Sequence, residues 1–324
     1  MKRMNPFKPI YDICNSGDPK DKILNLPLFP RYLDIELTNM CNFHCLMCPV
    51  GTGSIKRNRG MMDEKIFERI INEIAHFKTP IRFIRWGEPT LHPKFLDFLK
   101  LATNNQILCH LNTNGSKITG KLIDEFISLP LDSIKFSFQG IDSKSYAEMR
   151  NINFFDKLVK NIKLLYQKRG DKPFPFIHVA TTTTYESPEQ IDHFCQMMKK
   201  HTDLVTVGKT MMKIIDPSEV KLSNENRERL KFLKTQESLI PKHFDICPEV
   251  FDKLSINWDG TVSACCSDYD NKMIVGDLKK NSIQEIWLSE KMKIYRKILA
   301  ERRYDAIDLC EHCYDTMGTQ SQEK

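Results

Sequence analysis

Three cysteines crowd the segment Cys41-Asn-Phe-His-Cys45-Leu-Met-Cys48, directly after an alternating apolar run over 31–37 that reads as a strand. Three thiolates this close, with no fourth nearby, suit a [4Fe–4S] cube in which one iron keeps an open position. An open iron can bind a small chelating ligand. The same thiolates fit three quarters of a zinc site, with His44 as the fourth ligand. His44 lies between Cys41 and Cys45, where its side chain would have to fold back into a loop too short to close a tetrahedron. Zinc sites also usually come as two separated pairs, so the iron–sulfur reading is preferred.

Alternating elements must position these thiols. Strand patterns fall at 31–37, 80–86, 107–112, 133–138, 176–183 and 204–211. Helical patterns lie between them at 63–77, 93–104, 118–129, 154–168 and 188–201, with a sixth at 224–237. In the first, Ile66, Phe67, Ile70, Ile71 and Ile74 recur at helical spacing behind Asp63, which can cap the N-terminus. Six βα units imply a parallel sheet with crossovers of one hand. They are too few for a closed eight-stranded barrel, so the expected fold is an α/β, open, partial (β/α)6 TIM-like barrel. The expected organisation is an N-terminal extension over 1–30, a core over 31–240 and a small cysteine-bearing tail over 241–324. In the tail, Asp259-Gly260 sits between two short strand patterns, a hairpin signal. A helix is expected at roughly 282–301, with Ile286, Trp287, Met292, Tyr295 and Ile298 as its apolar residues. So small a module is expected to need a metal staple.

The 324 residues are 41% hydrophobic and 28% charged, as in soluble globular proteins. No apolar stretch approaches the ~18 residues of a membrane span. The N-terminus lacks the apolar segment of a secretory signal, so the expected location is cytoplasmic with no membrane partner. In that compartment eleven cysteines argue for metal rather than disulfides. Cys109 and Cys195 lie in apolar patterns and are expected as buried structural thiols. The net charge of +6 is modest and no Lys/Arg run interleaves with aromatics, so nothing asks for nucleic acid.

The C-x3-C-x2-C spacing resembles the signature of the radical S-adenosylmethionine (SAM) enzymes. In that family the open iron holds the amino and carboxylate groups of SAM and delivers one electron to break its sulfonium bond. Further residues carry the resemblance in order after successive strands. Trp86-Gly87-Glu88-Pro89 resembles the family's GGEP element, which implies that Gly87 and Glu88 receive the SAM ammonium; Trp86 departs from the first glycine. Asn112-Thr-Asn114-Gly115 stands where the family contacts the ribose. Ser137-Phe-Gln-Gly140 stands for the family's SIDG element, with Gln139 in place of the aspartate. Arg150 sits where relatives carry an arginine facing the SAM carboxylate. Met47 departs from the aromatic that many members carry.

The later cysteines Cys247, Cys265-Cys266 and Cys310-x2-Cys313 resemble the auxiliary SPASM module or its shortened twitch form. The surrounding Asp259-Gly260-Thr-Val, Val275-Gly276-Asp277-Leu278 and Ser282-Ile-Gln-Glu-Ile-Trp287 agree with it. A full module holds two clusters on about seven cysteines, so the five here imply one auxiliary [4Fe–4S] cluster, with Cys247, Cys265, Cys310 and Cys313 as ligands. Cys266 points to the opposite side if the hairpin strand continues. Spacing alone also suits a zinc ribbon.

The resemblance implies generation of a 5′-deoxyadenosyl radical, with an external one-electron donor such as flavodoxin or ferredoxin. The leading expectation is oxidation, or epimerisation, of a carbinol on a small sugar or cyclitol, as in single-auxiliary-cluster aminocyclitol dehydrogenases. Cys266 is a candidate hydrogen donor for epimerisation. A peptide-modifying maturase is the second reading, lowered because only about 30 residues precede the first strand, too few for a peptide-recognition domain. A non-catalytic iron–sulfur or electron-transfer protein is the third. His178, Lys209 and Asp216 are polar candidates near the mouth for substrate contact or base chemistry.

Overall fold

Strand periodicity builds the sheet. The computed structural model describes residues 3–212, 215–236, 247–311, 313 and 322–323. All six expected core strands are present: β1 (Tyr32–Ile35), β2 (Ile81–Phe83), β3 (Cys109–Thr113), β4 (Ser133–Ser137), β5 (Phe176–Thr183) and β6 (Leu204–Lys209). They pair in parallel in chain order, with registers such as Leu33↔Ile81, Ile81↔Cys109, Leu111↔Ile134, Ile134↔Ile177 and Val179↔Val205. β1 and β6 do not pair with each other, so the array is open. One face of each strand carries Leu33, Ile35, Ile81, Phe83, Leu111, Ile134, Phe136, Ile177 and Val179, all buried in the core beneath the helices. Alternation puts the other residues inside: Asp34, Arg82, His110, Asn112, Lys135, Ser137, His178 and Thr206. The barrel interior is therefore polar.

The six core helices are Glu64–Ile74, Phe95–Asn104, Gly120–Ser128, Phe155–Arg169, Pro188–Lys199 and Asn224–Thr235. Asp63 caps the first, accepting from the Lys65 amide at 2.8 Å. An extra helix, Ser143–Arg150, follows β4, closed at its start by a capping box between Asp142 and Ser145. Cys109 and Cys195 are buried thiols, as expected.

The first residues, on which the sequence is silent, form helix Lys8–Cys14, a plug at the N-terminal end of the barrel, and helix Pro19–Leu24, which packs against the tail helices. Phe7 is fully buried, its ring 5.7 Å from that of His110 near the start of β3. The Arg82 guanidinium lies 5.7 Å from the Tyr11 ring centroid and 4.7 Å from that of Tyr32.

The tail continues the same sheet. β7 (Lys253–Ile256) pairs in parallel with β1, Leu33 facing Leu254. β8 (Thr261–Ser263) returns antiparallel through the expected turn, where Gly260 has φ +87°. A further strand, β9 (Ile274–Asp277), pairs with β8. The single helix expected over 282–301 is two helices, Ile283–Trp287 and Glu290–Ala300. The break comes at Ser289, whose side chain caps the second helix by accepting from the Met292 amide at 3.4 Å. The Trp287 Nε1 donates to the Pro27 carbonyl at 2.7 Å, and the Arg296 guanidinium lies 4.1 Å from its ring. Ile283, Trp287, Met292 and Leu299 belong to one core with Leu33 and Ile35. The tail was expected to lean on metal for its core; it also shares the barrel's.

Truncating the buried Phe7 to Ala is expected to cost about 3–5 kcal/mol and to lower the urea midpoint, whereas Phe232→Ala, at a 59% exposed position, should leave it nearly unchanged. Equal midpoints for the two variants would contradict the plug.

Candidate metal centres at the barrel mouth

The loop after β1 is fixed before it reaches its first cysteine. Thr38 Oγ1 donates to the Gly60 carbonyl at 2.7 Å, and Asn39 exchanges hydrogen bonds with Asn58 and Gly60 at 2.7 and 2.9 Å. Gly87 approaches from the end of β2, with φ +116°; a Cβ there would lie 2.2 Å from the Thr38 carbonyl oxygen. Only glycine fits. The next amide, of Glu88, donates to the Met40 carbonyl at 2.9 Å.

Three thiols hang from this loop. Cys45 is buried, while Cys41 and Cys48 are part-exposed. The Phe43 amide donates to the Cys41 sulfur at 3.4 Å. The amides of Gly51 and Val50 favour the ionised form of the Cys48 thiol. Gly51 packs on the loop so tightly that a Cβ would lie 2.4 Å from the Cys45 backbone nitrogen and oxygen. Burial, then the neighbouring charges of Cys45, Glu88 and Cys48, pushes the Cys41 thiol up to about 12. Burial and Cys45 push Cys48 up to about 11. Crowded thiols that resist ionisation alone become thiolates once a positive metal core joins them, with release of protons. His44 is exposed, away from any such set.

Sulfurs bound to one tetrahedral ion at about 2.3 Å would sit roughly 3.8 Å apart. Among the described residues only Asp34, Glu249 and Cys266 bring three ligand atoms within 4.8 Å of one another. Among the described residues neither expected cysteine set is drawn in around a single ion. At the Asp34 group the Lys253 ammonium is already the cation: it lies 3.0 Å from Asp34 Oδ2 and also pairs with Glu249.

The residues expected to contact SAM surround the triplet. Arg150 Nη1 lies 3.5 Å from the Cys45 sulfur, and its Nη2 donates to the Ser137 carbonyl. Its Nε is buried without a partner. Asn114 Nδ2 lies 3.7 Å from the Cys41 sulfur and 3.1 Å from Asn42 Oδ1. Ser137 Oγ donates to Asn112 Oδ1 at 3.3 Å. Glu88 is buried and much of its capacity is spent within the protein. Its Oε1 accepts from Thr90 and Thr113 hydroxyls at 2.6 and 2.7 Å, and Oε2 accepts from the Asn114 amide at 2.7 Å. Burial pushes its carboxyl up against the pull of those bonds. Oε2 keeps one lone pair for an outside donor. Gln139 is turned to β5 and the end of β6, bonded to Thr182 and Thr210. Asp216 is exposed and caps its own turn at Ser218, and His178 lies inside the barrel with Nε2 2.8 Å from Thr206 Oγ1.

The second cysteine set gathers on the tail. Charges at Cys310 and Cys313 act on Cys247, and charges at Cys247 and Cys313 act on Cys265. Burial pushes both thiols well up and Cys310 to about 11. The Cys266 thiol meets Glu249 Oε1 at 3.4 Å, and its amide donates to Glu249 Oε2 at 2.7 Å. Its charge is felt by Lys253 and by Lys135 inside the barrel.

Residues 35–198 match the family model of the radical SAM superfamily. The chain belongs to that superfamily. Residues 247–314 match the iron–sulfur cluster-binding domain called SPASM. This radical SAM enzyme accordingly takes [4Fe–4S] clusters and SAM as cofactors, and the donor sets fit them. It is 22% identical over 86% of its length to the tungsten-containing aldehyde ferredoxin oxidoreductase cofactor-modifying protein of Pyrococcus furiosus, 87% of which is covered. It is 20% identical over 90% of its length to the S-adenosyl-L-methionine-dependent 2-deoxy-scyllo-inosamine dehydrogenase of Niallia circulans, 95% of which is covered. Streptococcus suis SuiB, solved with S-adenosylmethionine, superposes with a TM-score of 0.67 at 17% identity, covering 91% of this chain and 74% of that one. At that identity the likeness speaks to fold alone. The chain spans less than half the length of two further curated relatives it matches.

Sequence reasoning missed Asn42, Arg85 and Lys135. Lys135 was findable: it holds the middle of the inward series Ser133, Lys135, Ser137 on a strand whose other face is apolar.

Replacing Cys41, Cys45 and Cys48 together by Ala should remove about half of the iron of the anaerobically reconstituted protein, roughly four of eight atoms, and all SAM cleavage. Surviving cleavage would refute the assignment. Cys265→Ala should lose the other half, while Cys266→Ala keeps full iron; the reverse pattern would reassign the ligand.

Proposed function

We propose that this radical SAM enzyme is an oxidoreductase acting on a carbinol carbon of a small sugar or cyclitol, with epimerisation as the near variant. The observation that carries this reading is the polar interior. Asp34, Arg82, His110, Asn112, Lys135, Ser137, His178 and Thr206 face inward, above a floor made by Phe7 and Tyr11. Buried polar groups need partners, and a hydroxyl-rich molecule offers them where an apolar side chain would not. The near full-length likeness to an aminocyclitol dehydrogenase supports the same substrate class.

When bound, the cluster on Cys41, Cys45 and Cys48 together with SAM supplies hydrogen-atom abstraction, and one auxiliary cluster on Cys247, Cys265, Cys310 and Cys313 supplies a one-electron acceptor. The chain's own groups arrange the rest. Gly87 lets the two mouth loops meet, and Glu88 orders Thr113 and Asn114 beneath the cluster loop. Arg150 offers a cation and an unused Nε beside Cys45, suited to the SAM carboxylate. Phe7 and Tyr11 close the N-terminal end, so substrate enters at the mouth. An external one-electron donor such as flavodoxin or ferredoxin starts each cycle.

A peptide-modifying role is the second reading, supported by the 24% identity over 53% of the chain to the mycofactocin maturase of Mycobacterium tuberculosis.

The test is anaerobic incubation with SAM, reductant and a panel of cyclitols, aminocyclitols and sugars. A matched yield of 5′-deoxyadenosine and ketone is expected for one of them, whereas modification of a peptide alone would sink the oxidoreductase reading. With Cys247, Cys310 and Cys313 replaced by Ala, a folded, substrate-binding variant should still form 5′-deoxyadenosine with little ketone. A normal ketone ratio would leave the auxiliary cluster a structural staple.

A further inference from the structure

Resting on the polar-substrate reading above, we infer that Lys135 receives an anionic group of the substrate, a carboxylate or a phosphate, inside the barrel.

The charges of the interior otherwise balance in pairs. Asp34 binds Arg82 through two hydrogen bonds of 2.6 and 2.8 Å. Lys253 bridges Asp34 and Glu249, giving two cations for two carboxylates. Nearer the mouth, Arg57 pairs with Glu36. His110 is held by Ser133 at 3.1 Å and His178 by Thr206 at 2.8 Å. Burial pushes the imidazole of His178 down to about 3 and that of His110 well below its usual range, so both are neutral near pH 7. The Cys266 thiol turns to Glu249.

Among the inward-facing residues of the six core strands, Lys135 is the remaining charge. It sits in register with Asn112 of β3 and His178 of β5. Among the described residues its Nζ makes no hydrogen bond or ion pair, although Arg82, Asp34, Cys266 and Lys253 all act on it. Burial first, then Arg82, pulls its ammonium down to about 8. An unpaired, part-buried ammonium is costly, and an incoming anion removes the cost.

The depth also suits a substrate contact. Lys135 lies two residues before Ser137, so roughly 6.6 Å deeper along the strand. Ser137 is the level at which Arg150 meets the chain, beside Cys45. An anion held at Lys135 places the body of a small sugar between Lys135 and that level.

The test is isothermal titration of the anaerobically reconstituted protein, with SAM present, using glucose, glucuronate and glucose 6-phosphate. One anionic sugar should bind at least about tenfold tighter than glucose, and which one identifies the anion. Lys135→Met should abolish the preference while keeping glucose binding, and Lys135→Arg should restore it. In the wild type the preference should be full well below pH 8 and fall as pH rises through about 8, where the ammonium is lost. In Lys135→Arg it should persist, because a guanidinium stays charged. Glucose binding as tightly as both anions, a preference surviving in Lys135→Met, or displacement of the anion by SAM would each overturn the inference while leaving the polyol reading standing. Binding of none of the three sugars would overturn the inference, while the polyol reading stands or falls on the panel above.

Discussion

Asp34 is the residue on which the parts of this molecule converge. It is fully buried on β1 between Arg82 of β2 and Lys253 of β7. Burial alone would raise its carboxyl; Arg82 and then Lys253 overcome this and hold it well below the usual carboxylate range. Each partner reaches a different part of the fold. Arg82 stacks on Tyr11 of the plug and on Tyr32. Lys253 reaches Glu249, which receives the Cys266 amide. Buried ion pairs give little net stability against a well-packed apolar alternative, yet removing one partner strands a charge. The network therefore works as a geometric constraint: barrel and tail must both be in place before all of its charges are satisfied.

A second constraint ties the two cysteine sets. Arg85, between β2 and Gly87, is a non-glycine residue with φ 110°. Its guanidinium donates to the carbonyls of Cys265 at 3.3 Å and Asp268 at 2.8 Å. The loop that carries Glu88 toward the first set thus holds the backbone of the second. A backbone in so sparsely populated a region persists only where its surroundings over-determine it, and here the tail supplies that determination. Asp268 in turn accepts from Ser263 and from the Lys272 and Met273 amides, so the loop after Cys265 is held from both sides.

Local signals were legible wherever chemistry or periodicity acts over a few residues. The C-x3-C-x2-C spacing, the period-two runs of the six core strands, the Asp63 cap and the Asp259-Gly260 turn each constrain only near neighbours, so each could be read directly. The break at Ser289 was equally local: a serine three residues before Met292 is a cap, and the apolar periodicity running through it masked the signal. Glu88 and Gln139 lay beyond such reading, because their partners Thr113, Asn114, Thr182 and Thr210 come from other strands.

The sequence by itself determined the cysteine chemistry and the order of strands and helices, since sterics, hydrogen bonding and burial act there along a single segment. Only the tertiary structure decided that β7 pairs with β1, that Phe7 closes the barrel, and that Lys135 stands unpaired among Asn112, His178 and Arg82. Those outcomes depend on which distant surfaces share a core and which buried charges find partners. Such energies belong to pairs of segments, and neither member of a pair carries them alone.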